Sequence, residues 1–275
     1  MQYTFAMETV LQYGQALAIT LFGVWVYMML GFLYSLKTKR VDIVDVLWGV
    51  GFVFVAVTTL ARFNTLHSVR QLVVLVLVAI WGIRLASHIY KRNKNKPEDY
   101  RYAAWRSAWG RWFNLRAFFQ VFLLQGVLMV LVASPIIFIN RFDGSFLDVL
   151  NIDFYLVAGL LVWAVGFYFE SRGDAQLKAF LGNPENKGKI MMSGLWAYTR
   201  HPNYFGEVTQ WWGIFVIALG LPMGWLALLG PLTITLLILK VSGIPMLEKK
   251  YAGNLEFESY KKRTSAFFPL PPKAN

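Results

Sequence analysis

The side chains most able to do chemistry gather between Glu170 and Glu207. Glu170, Asp174 and Lys178 recur at i, i+4 and i+8, which places them on one face of a helix. Two acids four residues apart repel, so a purely structural helix gains nothing from them. A cation or hydroxyl donors of a bound ligand would offset that repulsion, as would Lys178 pairing with Asp174 at a solvated helix end. The segment GLWAYTRHPNYFGE, from Gly194 to Glu207, follows. Pro202 suits the first turn of a helix, where its missing N–H is no loss, so a helix is expected to begin there. Arg200 stands just ahead of that start, with Lys187 and Lys189 upstream. Free amides, the positive helix end and these cations form a site for phosphate.

Beyond Pro202, residues Asn203, Glu207 and Gln210 fall at 0, +4 and +7, one polar stripe running into an apolar helix. Asparagine and glutamine there also serve helix–helix hydrogen bonding, whereas a glutamate needs a partner, a cavity or a ligand. His201 is read as a hydrogen-bonded neighbour of the helix cap or as an acid–base group. Asp42 and Asp45 precede Trp48, with Asp42 suited to capping and Asp45 one turn deeper. Near the other end, SGIPMLE carries Glu248, and Phe257, Tyr260 and Lys261–Arg263 lead into FFPLPP. This short, aromatic and basic tail is placed to fold back over a cavity. His88 beside Arg84 is assigned a structural role, and His67 none.

The elements that position these residues follow from composition. The 275 residues are 57% hydrophobic and 15% charged, with net charge +12 and no cysteine. So little charge cannot cover a soluble domain of this length, and without cysteine there is no disulfide, thiolate metal site or thiol nucleophile. Three scattered histidines do not make a metal centre, and the basic residues read as loops beside a membrane with no folded surface for nucleic acid. Seven apolar stretches approach the roughly 20 residues of a bilayer core. They run from Ala16 to Leu36, Ile43 to Ala61, Leu72 to Tyr90, Ala117 to Ile139, Phe154 to Phe169, Tyr204 to Leu221 and Trp225 to Val241. Gly220, Pro222 and Gly224 make a tight turn between the last two. Residues 1–15 lack the basic start of a signal peptide. Of the 27 lysines and arginines, 23 follow the odd-numbered stretches. The expectation is an all-α integral membrane protein, a bundle of seven transmembrane helices, N-terminus outside and C-terminus cytoplasmic. It is read as one membrane domain, with helices one to three and the basic loop (16–116) on the substrate side and 117–275 on the cofactor side.

The segments GLWAYTRHPNYFGE with the following WWG, the upstream EXXXDXQL, SGIPMLE and FXXYXXRTXXFFPLPP resemble the steroid 5-alpha-reductase-like superfamily, and more closely its bacterial and plant branch of unknown function. The likeness runs from Asp42 to Pro272 and is densest over Ala164–Phe268. The RHPNYXGE core recurs in sterol reductases and, more loosely, in isoprenylcysteine carboxyl and phospholipid methyltransferases. The resemblance implies an NADPH site open to the cytoplasm and a lipophilic, steroid- or lipid-like substrate entering from the bilayer; the compact loops suit a multi-pass protein of the bacterial inner membrane. The resemblance places cofactor contacts at Glu170, Asp174, Lys189, Arg200, Asn203, Glu248 and Tyr260; Lys178, on the face of Glu170 and Asp174, and His201, beside Arg200, are added to that set. Glu207, Asp45 and Tyr204 become the candidate catalytic groups, and no metal is called for. The second span offers Asp45 and Trp48 in place of the superfamily's Gln-Glu pair, and Trp81 stands where the third-helix tyrosine is expected. The reaction implied is reduction of an activated C=C bond, with a carboxyl kept protonated by apolar surroundings as donor. An S-adenosylmethionine-dependent membrane methyltransferase is the alternative.

Overall fold

The computed structural model describes residues 2–63, 68–143 and 152–273; His67 lies outside them. Among the described residues every regular element is helical, and the β contact is an isolated parallel bridge between Thr199 and Ser265. Among the described residues six segments are long and apolar enough to cross a membrane: Tyr3–Thr38, Ile43–Phe63, Val69–Asn93, Tyr100–Val132, Phe154–Gly182 and Gly224–Lys249. They leave large apolar side chains such as Phe22 and Leu161 exposed, at 71% and 62%. Hydrocarbon is the solvent that such a surface suits, and a helix satisfies its own backbone there. The stretch expected to cross from Tyr204 to Leu221 forms a helix over Pro202–Ala218, 17 residues long. The polypeptide divides into two compact units, Met1–Asp153 with Ala218–Gly230, and Phe154–Ile217 with Pro231–Asn275.

The first unit holds α1 (Gln2–Thr38), α2 (Ile43–Phe63), α3 (Val69–Asn93), α4 (Tyr100–Trp109), α5 (Phe113–Ala117), α6 (Leu124–Val132) and α7 (Ser134–Phe142). Between α5 and α6 the residues Phe118–Leu123 widen into a π-helical turn. Helices α2 and α3 touch through Gly49 and Gly82, where a Cβ on Gly49 would stand 2.6 Å from the Gly82 carbonyl oxygen. The loop before α4 is bound to the α1–α2 turn by charge. Arg40 donates to Asp42 and to the Lys96 carbonyl at 2.8 Å, and Glu98 accepts from Val41 N at 2.7 Å and pairs with Arg106 at 3.0 Å. Asp42 is thus a partner of Arg40. Arg70 lies between Asp143 and Asp153.

The second unit holds α8 (Phe154–Gly182), α9 (Pro202–Ala218), α10 (Leu229–Leu236), most of which belongs here, α11 (Ile244–Lys249) and α12 (Leu255–Arg263). Helix α8 runs 13 residues beyond Phe169, so Glu170, Asp174 and Lys178 do share one continuous helix. It packs antiparallel on α9 along a seam of glycines seven residues apart. A Cβ on Gly159 would stand 2.6 Å from the Gly213 oxygen, and one on Gly166 would stand 2.6 Å from both Gln210 N and the Gly206 oxygen. Gly173 meets Pro202 and Asn203 at the end of the seam. Small residues let two backbones approach this closely, which is how helices associate without a hydrophobic driving force.

Candidate functional site

The seam delivers the start of α9 against the end of α8, and the segments on either side close around it. Gly194, at φ +64°, lies against the Gln176 side chain, whose Oε1 accepts from Leu195 N at 3.0 Å. A side chain at 194 would meet both the strained φ and the amide. The turn so formed sends Trp196 inward, its Nε1 donating to the Gly173 carbonyl at 3.2 Å. The tail returns to the same place, as the sequence led us to expect. Arg200 N donates to Ser265 O at 2.9 Å, Leu270 N donates to Tyr198 O at 3.0 Å, and Thr199 Oγ1 donates to Phe267 O at 2.9 Å. Tyr260 donates its hydroxyl to the Trp196 carbonyl, and burial pushes that phenol above its ordinary pKa, so it stays a donor.

At the centre lies an ion cluster. Arg200, 8% exposed, donates from Nε to Glu248 Oε1 at 2.9 Å, and its Nη1 donates to the carbonyls of Lys261 and Thr264. His201 Nε2 lies 3.1 Å from the same Glu248 oxygen, and its ring stacks on Tyr204 with centroids 5.5 Å apart. Arg200, His201 and Glu248 border a cavity of about 170 Å³. Trp196, Tyr251, Phe257 and Tyr260 supply its aromatic walls, and Arg200, His201, Asn203 and Glu248 its polar ones.

Of the residues expected at a cofactor, Arg200, His201, Asn203, Glu248 and Tyr260 therefore meet at one cavity. Lys178 and Lys189 are exposed and do not line it, although their sequence neighbours Leu177 and Ile190 do. Asp174 is half-buried, and Glu170 is buried with its carboxylate accepting from Gln210 Nε2. Glu170 is thus a partner within the seam and does not line the cavity. Tyr204 and Glu207 are half-buried on α9. Two expected roles change. Arg200, read as a phosphate ligand, has its guanidinium committed to Glu248 and two carbonyls, so it ties α9 to α11 and α12. Asp45, read as a proton donor, accepts through both oxygens, from Arg101 and Tyr102 at 2.7 Å each, which ties α2 to α4 within the first unit. Both carboxylate oxygens of Asp45 are thereby engaged by α4. Trp196 and Tyr251 were not foreseen as walls; the aromatic spacing of Phe257 and Tyr260, one helical turn apart, was the available signal.

Fold and site define a multi-pass helical membrane protein with a polar, aromatic-walled cavity at its helix ends. The chain belongs to the family described as proteins of unknown function, DUF1295, whose model matches residues 31–264. A 50-residue stretch is 44% identical to the probable O-methyltransferase ustE of Ustilaginoidea virens, covering 18% of each protein. A 57-residue stretch is 37% identical to steroid 5-alpha-reductase DET2 of Gossypium hirsutum, covering 21% of this chain and 22% of that one. The matches thus span about a fifth of the curated relatives' length. No solved structure matches the chain.

Proposed function

We propose that the protein is a membrane-embedded reductase that uses NADPH to reduce an activated C=C bond in a lipophilic, steroid- or lipid-like substrate. The observation that carries this reading is the meeting of Arg200, His201, Asn203, Glu248 and Tyr260 at one cavity, together with the partial likeness to a steroid reductase. The donor set fits part of such a cofactor. A carboxylate accepts from ribose hydroxyls or a carboxamide, an asparagine both donates and accepts, and aromatic walls hold a flat ring. About 170 Å³ takes one ring-sized group, so the rest of a dinucleotide would extend outside it.

NADPH, when bound, supplies the hydride. The chain's own residues do the rest. Arg200 and His201 hold Glu248 as a fixed acceptor. Trp196, Tyr251 and Phe257 keep water from the ring. Asn203 orients the polar edge, and Asp174, Lys178 and Lys189 border the approach. Glu207 or Tyr204, both half-buried on the same helix, is proposed to deliver the proton. The proposal includes α9 as a seventh crossing, an outside N-terminus and cytoplasmic C-terminus in a bacterial inner membrane, and the helices within 16–116 as the substrate side.

A second reading has a specific observation behind it. A carboxylate in an aromatic-walled cavity with its nearby arginine already paired also suits a cationic ligand such as S-adenosylmethionine. The chain's likeness to a probable O-methyltransferase agrees with that reading. Thermal unfolding in nanodiscs with NADPH, NADH or S-adenosylmethionine separates the two. A ligand at 100 times its Kd stabilises by about 2.7 kcal/mol. We expect NADPH to raise the midpoint, and Asn203→Ala and Asp174→Ala to reduce the effect. Stabilisation by S-adenosylmethionine alone overturns the reductase reading.

A further inference from the structure

Arg263 is the last residue of α12, and its charge is left unanswered. Its Nε is buried without an acceptor, and its Nη2 meets only the thioether sulfur of Met192, at 3.9 Å. Among the described residues it enters no ion pair. A partly buried guanidinium without a counter-charge loses hydration and gains nothing in return, so such a group calls for an anion from outside. The guanidinium borders a cavity of about 410 Å³ that also takes in Met192, Tyr260, Thr264, Pro272 and a second cation, Lys273. The cavity wall is built from tied backbone: Lys273 N donates to Arg263 O at 2.9 Å, and Leu270 N donates to Tyr198 O at 3.0 Å. Its hydroxyls already have acceptors, since Thr264 donates to Ala197 O at 3.4 Å and Tyr260 to Trp196 O. The two cations are left to supply the donors. Lys262 on the same turn is exposed and adds to the positive potential, whereas Lys261 is paired with Glu258 at 3.4 Å.

We infer that this cavity binds the phosphate group of a ligand, with Arg263 giving a two-pronged contact and Lys273 a point charge. It is separate from the pairing of Arg200 with Glu248 and does not depend on which reaction the neighbouring cavity performs. A nucleotide phosphate and a phospholipid headgroup offer the same chemistry. The full chain in phosphatidylcholine nanodiscs distinguishes them, with 2′,5′-ADP binding followed by calorimetry and retention of added phosphatidate by native mass spectrometry. The wild-type protein is expected to bind one of the two, and Arg263→Ala to weaken it roughly 10- to 100-fold. Lys273→Ala weakens it less, and Arg263→Lys falls between, because an ammonium cannot form the fork. Which probe loses affinity identifies the source. The unliganded unfolding midpoint of Arg263→Lys should equal wild type, so its lower affinity separates binding from folding even where Arg263→Ala is unstable. Wild-type protein that binds neither probe, or Arg263 variants that bind as wild type does, overturns the inference.

Discussion

Removing Glu248 tests whether the ion cluster builds the site. The side chains of Arg200 and Glu248 are 9% and 15% exposed, with nitrogen and oxygen 2.9 Å apart. In Glu248→Leu the guanidinium keeps the carbonyls of Lys261 and Thr264 but loses its counter-charge. Removing one partner of a buried pair costs about 3–5 kcal/mol. The carbonyls that still accept from Arg200 put this case near the lower end, about 3 kcal/mol. Arg200→Met should cost a similar amount by leaving the carboxylate with His201 alone. The double variant strands neither charge, and its cost reduces to carbonyls without donors, about 1–2 kcal/mol. Its destabilisation should therefore fall short of the sum of the single variants, about 6 kcal/mol, by roughly 4 kcal/mol. Equilibrium unfolding of the ligand-free protein in mixed micelles of rising SDS content, run on all four proteins, gives the coupling directly. Additivity within about 0.5 kcal/mol would refute the cluster as the tie between α9 and α11.

Two further perturbations follow. Gly166→Ala puts a methyl 2.6 Å from backbone atoms of α9 and should lower stability by about 1–3 kcal/mol. Gly182→Ala on the same helix meets nothing within 4 Å and should be neutral or slightly stabilising; equal thermal midpoints would dismiss the seam. For Asp99, burial raises the carboxyl pKa, but the side-chain and backbone hydrogen bonds of Arg101 outweigh it and hold the group below its ordinary value. A pKa lower in the folded state than in the unfolded one gives stability above the unfolded value, near 4, that fades as pH falls below it. Asp99→Asn should therefore be less stable than wild type at about pH 7, with a gap that narrows as pH falls below about 4, as followed by thermal unfolding.

The sequence alone determined what depends on local chemistry. Apolar runs of bilayer length announced the long helices, because each residue's partition into lipid is additive along the run. Pro202 marked the start of α9 because its ring sets φ and its missing N–H has no use there. The four-residue phase put Glu170, Asp174 and Lys178 on one face, and the structure keeps them there. Glycines at 159, 166 and 173 and at 206 and 213 were also visible in the sequence. Their meaning was not, since a heptad of small residues is only a seam once its partner is known.

Tertiary structure decided which charges meet. Arg200 and Glu248 are 48 residues apart in sequence, and nothing local distinguishes an arginine that waits for phosphate from one already neutralised by a folded-back carboxylate. The same holds for Asp45, whose neighbours Arg101 and Tyr102 arrive from a helix more than 50 residues on. Helix phase says which way a side chain faces. Only the packing of distant segments says whether its charge has been answered, and on that difference Arg200 became a tie while Arg263 was left open.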